Sequence, residues 1–260
     1  MFATGLTLGC WIFANVFFFA TVLHACEAPQ TPAISVISIN PAGEIKLEDG
    51  RVVRLAGLLW PASTDKAGRR RLTGALEPWL DGGRLSILPV GKPDRWGRLA
   101  AQVFVDDPGH ASVWLQGMLA ENGFAMIWPE PEARGCWEAL RRVENEASGK
   151  GLGLWSPLRR RARRLILHNE GAMPLNPRVV YVAKVRSVRE GRSVIFVNFH
   201  GTRAKTPYLS IQKRSVDEFR RQGLDPATFS GKRLKVRGIL AYGSTTRLTI
   251  SGPQAIEVLE

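Results

Sequence analysis

Apolar residues follow three different patterns along the chain. From Phe2 to Ala25 they are almost continuous. From Ala33 to Pro157, and again from Pro177 onward, they come in short alternating runs divided by turn-forming residues. Alternation over four to eight residues marks a half-buried strand. In the first alternating region Ser35–Ile39, Glu44–Leu47 and Arg51–Leu55 are predicted strands. They are separated by Pro41-Ala42-Gly43 and by Glu48-Asp49-Gly50, the latter a hairpin signal. A helix is expected over Asp65–Leu80, stopped by Asp81-Gly82-Gly83. Arg84–Val90 and Leu99–Val105 are further strands around the turn Gly91–Arg98. Helical stretches at Ser112–Asn122 and Cys136–Gly149 flank the loop Trp128-Pro129-Glu130-Pro131. Five strands with a helix after the third is the order of a small OB-type barrel.

The second alternating region repeats that order. Val179–Val188, Ser193–Phe199 and Tyr208–Gln212 are predicted strands. A helix at Ser215–Gln222 ends at Gly223, and Arg233–Leu240, Arg247–Ile250 and Ala255–Leu259 follow as strands. The expected fold class is mainly β with helices (α+β): two OB-type five-stranded barrels after an N-terminal hydrophobic segment. No sequence repeat links the two regions. The expected divisions are 1–28, 32–157, 158–176 and 177–260, the third being a linker.

The first segment has three readings. Its apolar run followed by Ala25-Cys26-Glu27-Ala28-Pro29 fits a signal peptide cut near Ala28, or an uncleaved N-terminal span. No Lys or Arg precedes Lys46, so the basic start of a signal peptide is missing. Leu23-His24-Ala25-Cys26 also resembles a bacterial lipobox. All three imply an exported protein of a bacterium, periplasmic or membrane-anchored, with membrane association through this segment. With Cys10 and Cys26 in the removed part, Cys136 is expected to be a lone structural thiol.

Composition and charge narrow the function. Hydrophobic residues at 45% and charged residues at 23% describe a globular chain, not a disordered one. Three cysteines are too few for a disulfide-stapled scaffold, and the four histidines have no ligand partner at useful spacing, so no metal or cofactor is expected. The formal charge is +13. Residues 32–157 are balanced at 15 basic and 15 acidic, whereas residues 158–260 carry 21 basic and 7 acidic. An excess confined to one half assigns that half a polyanionic partner.

Four segments of the first region carry a resemblance. Asp94-Arg95-Trp96-Gly97-Arg98-Leu99-Ala100, Leu115–Ala125, Glu144–Ala147 with Lys150-Gly151-Leu152-Gly153-Leu154-Trp155, and Val53–Pro61 stand in register with motifs of the staphylococcal nuclease (thermonuclease) family. The resemblance spans about 125 residues. It implies a calcium-dependent phosphodiesterase fold with two metal-binding aspartates, a glutamate that activates water and two phosphate-binding arginines. The arginines fall on Arg54 and Arg98. The aspartates fall on Gly43 and Leu59, the threonine after the second of these on Trp60, and the glutamate on Ala62. Hard cations need carboxylate oxygens, so these losses imply a fold that no longer cuts. Glu44 follows Gly43, and alternation is expected to turn it to the opposite face. Asp65 is the candidate for a relocated acid. Arg54 and Arg98 remain open between phosphate binding and bridging to an acid such as Asp94. Trp60 stands beside the lost position as a candidate stacking ring.

In the basic half, Arg159-Arg160-Arg161-Ala162-Arg163-Arg164 reads as a solvated linker or a phosphate contact. Beyond it, Lys184, Arg186, Arg189, Arg192, Asn198, His200, Arg203, Lys205 and Arg247 are candidate backbone contacts, with Tyr208 the stacking ring. Phe196 and Phe199 fall on opposite faces. In its topology and in Asp225-Pro226, Gly231-Lys232-Arg233 and Val236-Arg237-Gly238, this half also resembles the basic OB-like module that follows thermonuclease-like domains in some bacterial proteins. The expected partner is DNA or RNA, single-stranded and bound without sequence preference. The expected function is an exported, catalytically inactive nuclease-like binder. The alternatives are a calcium-dependent phosphodiesterase with a rebuilt site, and an envelope-anchored scaffold for anionic polymers.

Overall fold

The computed structural model describes residues 26–40, 42–59, 66–106, 111–156, 177–201 and 206–259, and the backbone of 164–166. The N-terminal apolar run, Trp60, Ala62, Asp65, most of the linker, Arg203 and Lys205 lie outside the described residues.

The first half folds from hairpins. Strands β1 (Ile34–Ile39), β2 (Glu44–Leu47) and β3 (Val52–Leu55) pair antiparallel in sequence. The short strand β4 (Leu58–Leu59) precedes helix α1 (Lys66–Leu80). Leu72, Leu76 and Leu80 recur every fourth position on α1, so one face is buried. Strands β5 (Arg84–Pro89) and β6 (Arg98–Asp106) form the next hairpin. Pairing of β1 with β5 and parallel pairing of β3 with β6 closes the barrel. Its core is built on Ile45, Leu47, Val53, Leu55, Leu85 and Val103. Val113–Trp114, expected as helix, is a short strand β7 on β6. Helix α2 (Leu115–Glu121), strand β8 (Met126–Ile127, paired with β4) and helix α3 (Trp137–Lys150) complete the unit.

Two motif glycines meet at the end of this unit. Gly123 has φ 65° and Gly153 has φ 46°, and a Cβ on Gly123 would stand 2.5 Å from the Leu152 carbonyl oxygen. Leu154 N–H donates to the Gly123 carbonyl at 2.9 Å. A backbone-on-backbone contact of this kind excludes any side chain.

The second half closes in the same way. β9 (Arg164–Ile166), within the expected linker, pairs with β10 (Arg178–Glu190). β11 (Val194–Phe199) and β12 (Tyr208–Gln212) extend the meander. Helix α4 (Val216–Arg221) follows the third barrel strand, then β13 (Arg233–Ala241), β14 (Arg247–Thr249) and β15 (Ile256–Leu259). β12 and β14 are parallel, and β10 with β13 seals a closed five-stranded barrel. Both barrels share one topology, as expected.

Charges are buried where the barrels meet. On α3, Leu140, Glu144 and Ala147 form the inward stripe, which places a carboxylate on a buried face. On β13, Leu234 and Val236 enter the barrel core, so alternation turns Lys235 and Arg237 outward toward α3. Arg237 is fully buried and bridges Glu144 and Glu257. Lys235 donates to Glu144 at 2.8 Å and to Asn145 at 3.0 Å. Arg237 Nε donates to the Ile127 carbonyl at 3.2 Å, and Glu144 accepts from Ile127 N–H at 2.9 Å. The indoles of Trp137 and Trp155 lie 5.5 Å and 5.0 Å from the two cations.

Cys136 is not the lone thiol expected from the sequence. It is disulfide-bonded to Cys26, with the two Cα atoms 5.2 Å apart. The bond places Cys26 against the start of α3.

Removing one member of a buried ion cluster leaves the rest uncompensated. Arg237→Leu is therefore expected to lower the unfolding free energy by about 3–5 kcal/mol in urea titration. A loss below about 1 kcal/mol would mean the cluster contributes like a surface pair. The pH dependence has two limbs. Burial pushes the Glu257 carboxyl up, but Arg237 and Lys235 outweigh it and hold it below its ordinary 4.5. Its stabilisation is present above that value and is lost as pH falls through the folded one. Burial and the Arg237 charge hold Lys235 below its ordinary 10.5, so its contribution rises with pH between the two values. Thermal melts of Glu257→Gln should show a shallower acid limb than the parent protein.

Candidate functional site

Two places gather the residues singled out from the sequence. The first is a cleft of about 490 Å³ lined by Gly43, Glu44, Arg54, Asp94, Arg98, Trp128, Glu130, Glu132 and Arg178. Arg54 projects from β3 and Arg98 opens β6. The parallel register of Arg54 with Ala100 sets the two arginines on neighbouring strands.

Both guanidinium groups are occupied by acids. Arg54 donates through one nitrogen to both oxygens of Glu130, at 2.8 Å and 3.0 Å. Arg98 donates to Glu44 at 2.6 Å and to Asp94 at 2.8 Å. Trp96 lies against Arg98 and Arg95, with guanidinium carbons 4.6 Å and 3.8 Å from its ring. Asn40 donates to the other Glu44 oxygen at 2.7 Å. The Arg98 hydrogen bonds hold the carboxyls of Glu44 and Asp94 below the ordinary carboxylate range, and they in turn raise Arg98. Of the two readings of Arg98, bridging to Asp94 is the one the geometry contains.

Glu44 does not point away from the cleft, as alternation from Gly43 implies. Gly43 has φ 81° and belongs to the turn, so strand alternation begins only at Glu44. There the cross-strand partner is Arg54, and paired residues share a face. Carboxylates are thus present in the cleft, at positions other than those the sequence resemblance implies. Glu130 is 76 residues from Arg54, and no local spacing announces it.

Calcium does not fit these residues. Leu59, where the resemblance implies an aspartate, is buried in the β4–β8 pair opposite Met126, and Gly43 carries no donor side chain. The oxygens of Glu130 and one each of Glu44 and Asp94 are taken by guanidinium. Among the described residues no group of three His, Cys, Asp or Glu side chains is placed to hold a metal. Asp65, the candidate relocated acid, lies outside them.

The second place is the outer face of the second barrel. Ile195, Val197 and Phe199 of β11 are buried, so Phe196 and Asn198 face outward. Register sets two rows across the strands: Arg189, Phe196, Ser210 and Thr249 in one, and Ser187, Asn198, Tyr208 and Arg247 in the next. The rings of Phe196 and Tyr208 are 5.7 Å apart and inclined at 57°. The Arg189 guanidinium is 5.6 Å from the Phe196 ring. A pocket of about 220 Å³ opens here between Arg186, Arg189, Phe196, Asn198, Tyr208 and Thr245. Asn198 donates to Ser187 at 3.3 Å. Phe199 belongs to the core, edge-on to Tyr181.

Lys184, Arg192 and His200 are exposed beside this face. Among the described residues, none of Lys184, Arg186, Arg189, Arg192 and Arg247 makes an ion pair; the nearby Glu190 is taken by Lys213 at 2.8 Å. Phe196 is the functional candidate that the sequence left undecided against Phe199. The burial of Phe199 resolves the choice.

Comparison with known proteins bears on the first barrel. Residues 75–157 match the family model described as staphylococcal nuclease homologue. The chain therefore carries a domain of that kind, and the match includes the Asp94–Arg98 turn but not Arg54, Glu44 or Leu59. No curated protein matches the chain.

If the cleft arginines are silenced by their acids, neutralising those acids should expose them. Glu44→Gln combined with Glu130→Gln is expected to raise the affinity for inorganic phosphate on the order of tenfold, as measured by calorimetry. No change would mean the arginines are held for reasons other than charge pairing.

Proposed function

We propose that this chain is an exported, nuclease-like protein that binds single-stranded nucleic acid through its basic barrel, without sequence preference and without cutting it. The observation that carries the reading is the outer face of the second barrel. Two aromatic rings lie side by side there, with an arginine in each of their rows, Arg189 on one side and Arg247 on the other. Neither arginine has an acidic partner among the described residues. Aromatic faces accept stacked bases of any identity, and flanking cations follow the phosphates. A duplex keeps its bases inside the stack, so rings of this kind favour single strands. Backbone charge is sequence-independent by nature. The linker arginines, whose side chains lie outside the described residues, add charge of the same sign just before this barrel in sequence.

The absence of cutting is part of the proposal. A phosphodiester entering the cleft of the first barrel would displace Glu130 from Arg54, or Glu44 and Asp94 from Arg98, before either guanidinium could stabilise it. One observation favours the enzyme alternative: acids do stand beside both arginines, as a rebuilt site requires. Both Glu130 oxygens and one each of Glu44 and Asp94, however, are spent on those arginines, and the other oxygens of Glu44 and Asp94 accept from Asn40 and from backbone N–H groups.

Labelled single-stranded DNA incubated with the protein, with calcium or with chelator, separates the readings. The expected result is intact DNA of retarded mobility, weakening steeply with salt. Phe196→Ala and Tyr208→Ala should each cost about 1–3 kcal/mol of binding free energy. Arg189→Ala with Arg247→Ala should lower the salt slope by about 1.4, at about 0.7 for each phosphate that is no longer neutralised. Calcium-dependent fragments abolished by Arg54→Ala with Arg98→Ala would establish the enzyme. Neither cleavage nor retardation would leave the scaffold for anionic polymers.

A further inference from the structure

The sulfur of Cys26 can have only one fate. Lipidation at a lipobox would convert it to a thioether, and a peptidase cut near Ala28 would remove it. The structure instead bonds it to Cys136 across a sequence separation of 110 residues. We propose that Cys26 remains in the mature protein as an unlipidated, disulfide-bonded residue, so that any cut made in the apolar segment falls on the N-terminal side of Cys26.

The surroundings of the bond support a structural staple. Cys136 is buried, closes the short 3-10 helix Pro131–Cys136 and immediately precedes α3. The next residue, Trp137, faces the Arg237 guanidinium, and two turns further on α3 carries Glu144. The staple thus anchors the helix on which the two barrels meet. Beyond Cys26 the chain is held again where Arg84 donates to the Ala33 carbonyl at 2.7 Å, before it enters β1. Residues 26–33 therefore run between two fixed points, the start of α3 and the edge of β5.

Bond formation is a two-electron oxidation. The two thiols lose their protons and pass two electrons to a disulfide carrier of the export compartment, which is reduced to its dithiol as the Sγ–Sγ bond forms. Thiols stay reduced in the cytosol, so the staple closes only after export.

The test uses the full chain, with its own N-terminal segment and a C-terminal tag, expressed in a bacterium. Free thiols are alkylated before purification from the exported and membrane fractions. The expected protein begins at or before Cys26 and carries no lipid there. It yields a cross-linked Cys26–Cys136 peptide that disappears on reduction. A chain beginning beyond Cys26, a diacylglyceryl group on Cys26, or alkylation of both cysteines would overturn the proposal. Melting temperatures give a second readout. Cys26→Ser and Cys136→Ser should each lower Tm by several degrees, and the double variant by no more than either, because all three remove one bond. Cys10→Ser should leave Tm unchanged. A drop confined to Cys136→Ser would mark packing, not a staple, and would also overturn the proposal.

Discussion

Four charges removed from water hold this molecule together. Desolvating Glu144, Lys235, Arg237 and Glu257 is costly, and the cost is offset only because each charge meets an opposite one and the remaining polar atoms find partners. Those secondary bonds carry the structural consequence. Glu144 and Arg237 grip the N–H and the carbonyl of the same residue, Ile127, so the cluster also fixes the β4–β8 ribbon. Asn145 links Lys235 to Glu257. An apolar junction of Met126, Ala147, Trp155 and Val180 would tolerate sliding; the directional bonds beside it do not. The basic face of the second barrel is therefore held in one orientation relative to the first.

The cleft uses the same chemical groups under different solvation. Its pairs are partly exposed, with the Arg98 side chain 30% accessible and Glu44 19%. Water and salt screen such pairs, and a competing anion can exchange with the carboxylates. Arginine in a nuclease-like turn therefore has a stable place without a substrate: Asp94 accepts from the Arg98 backbone N–H and side chain and from the Trp96 N–H. Arg54 has a structural partner of the same kind in Glu130.

The parts of the molecule legible in the sequence are those governed by local rules. Turn residues and period-two alternation place nearly all the strands of both barrels, because each hairpin announces its own boundaries. The failures have one form: an inference carried past the element that licenses it. Alternation counted from Gly43 misplaces Glu44 because a residue at φ 81° belongs to a turn. Val113 and Trp114 continue a helical pattern but are captured by the edge of β6. Cys136 is expected to be a lone thiol because Cys26 is grouped with the apolar run, and the two are bonded. Glu130, Glu257 and the Cys26–Cys136 bond depend on tertiary proximity. Glu144 is visible as a motif position, but its role is not, since its cationic partners lie 91 and 93 residues away.

The two barrels have one topology and opposite electrostatics, and this contrast gives the functional argument its direction. In the first, Arg54 and Arg98 both face carboxylates, so a polyanion would gain there only the difference between two similar interactions. In the second, Arg186, Arg189 and Arg247 have no acidic partner among the described residues, so a phosphate would neutralise them without displacing an acid. The rings between them add an attraction that salt does not screen. Charge alone would make the basic half sticky toward any polyanion, including a lipid surface. Under the proposed reading, the paired rings set in strand register beside those charges would favour unstacked bases over a bare polyanion.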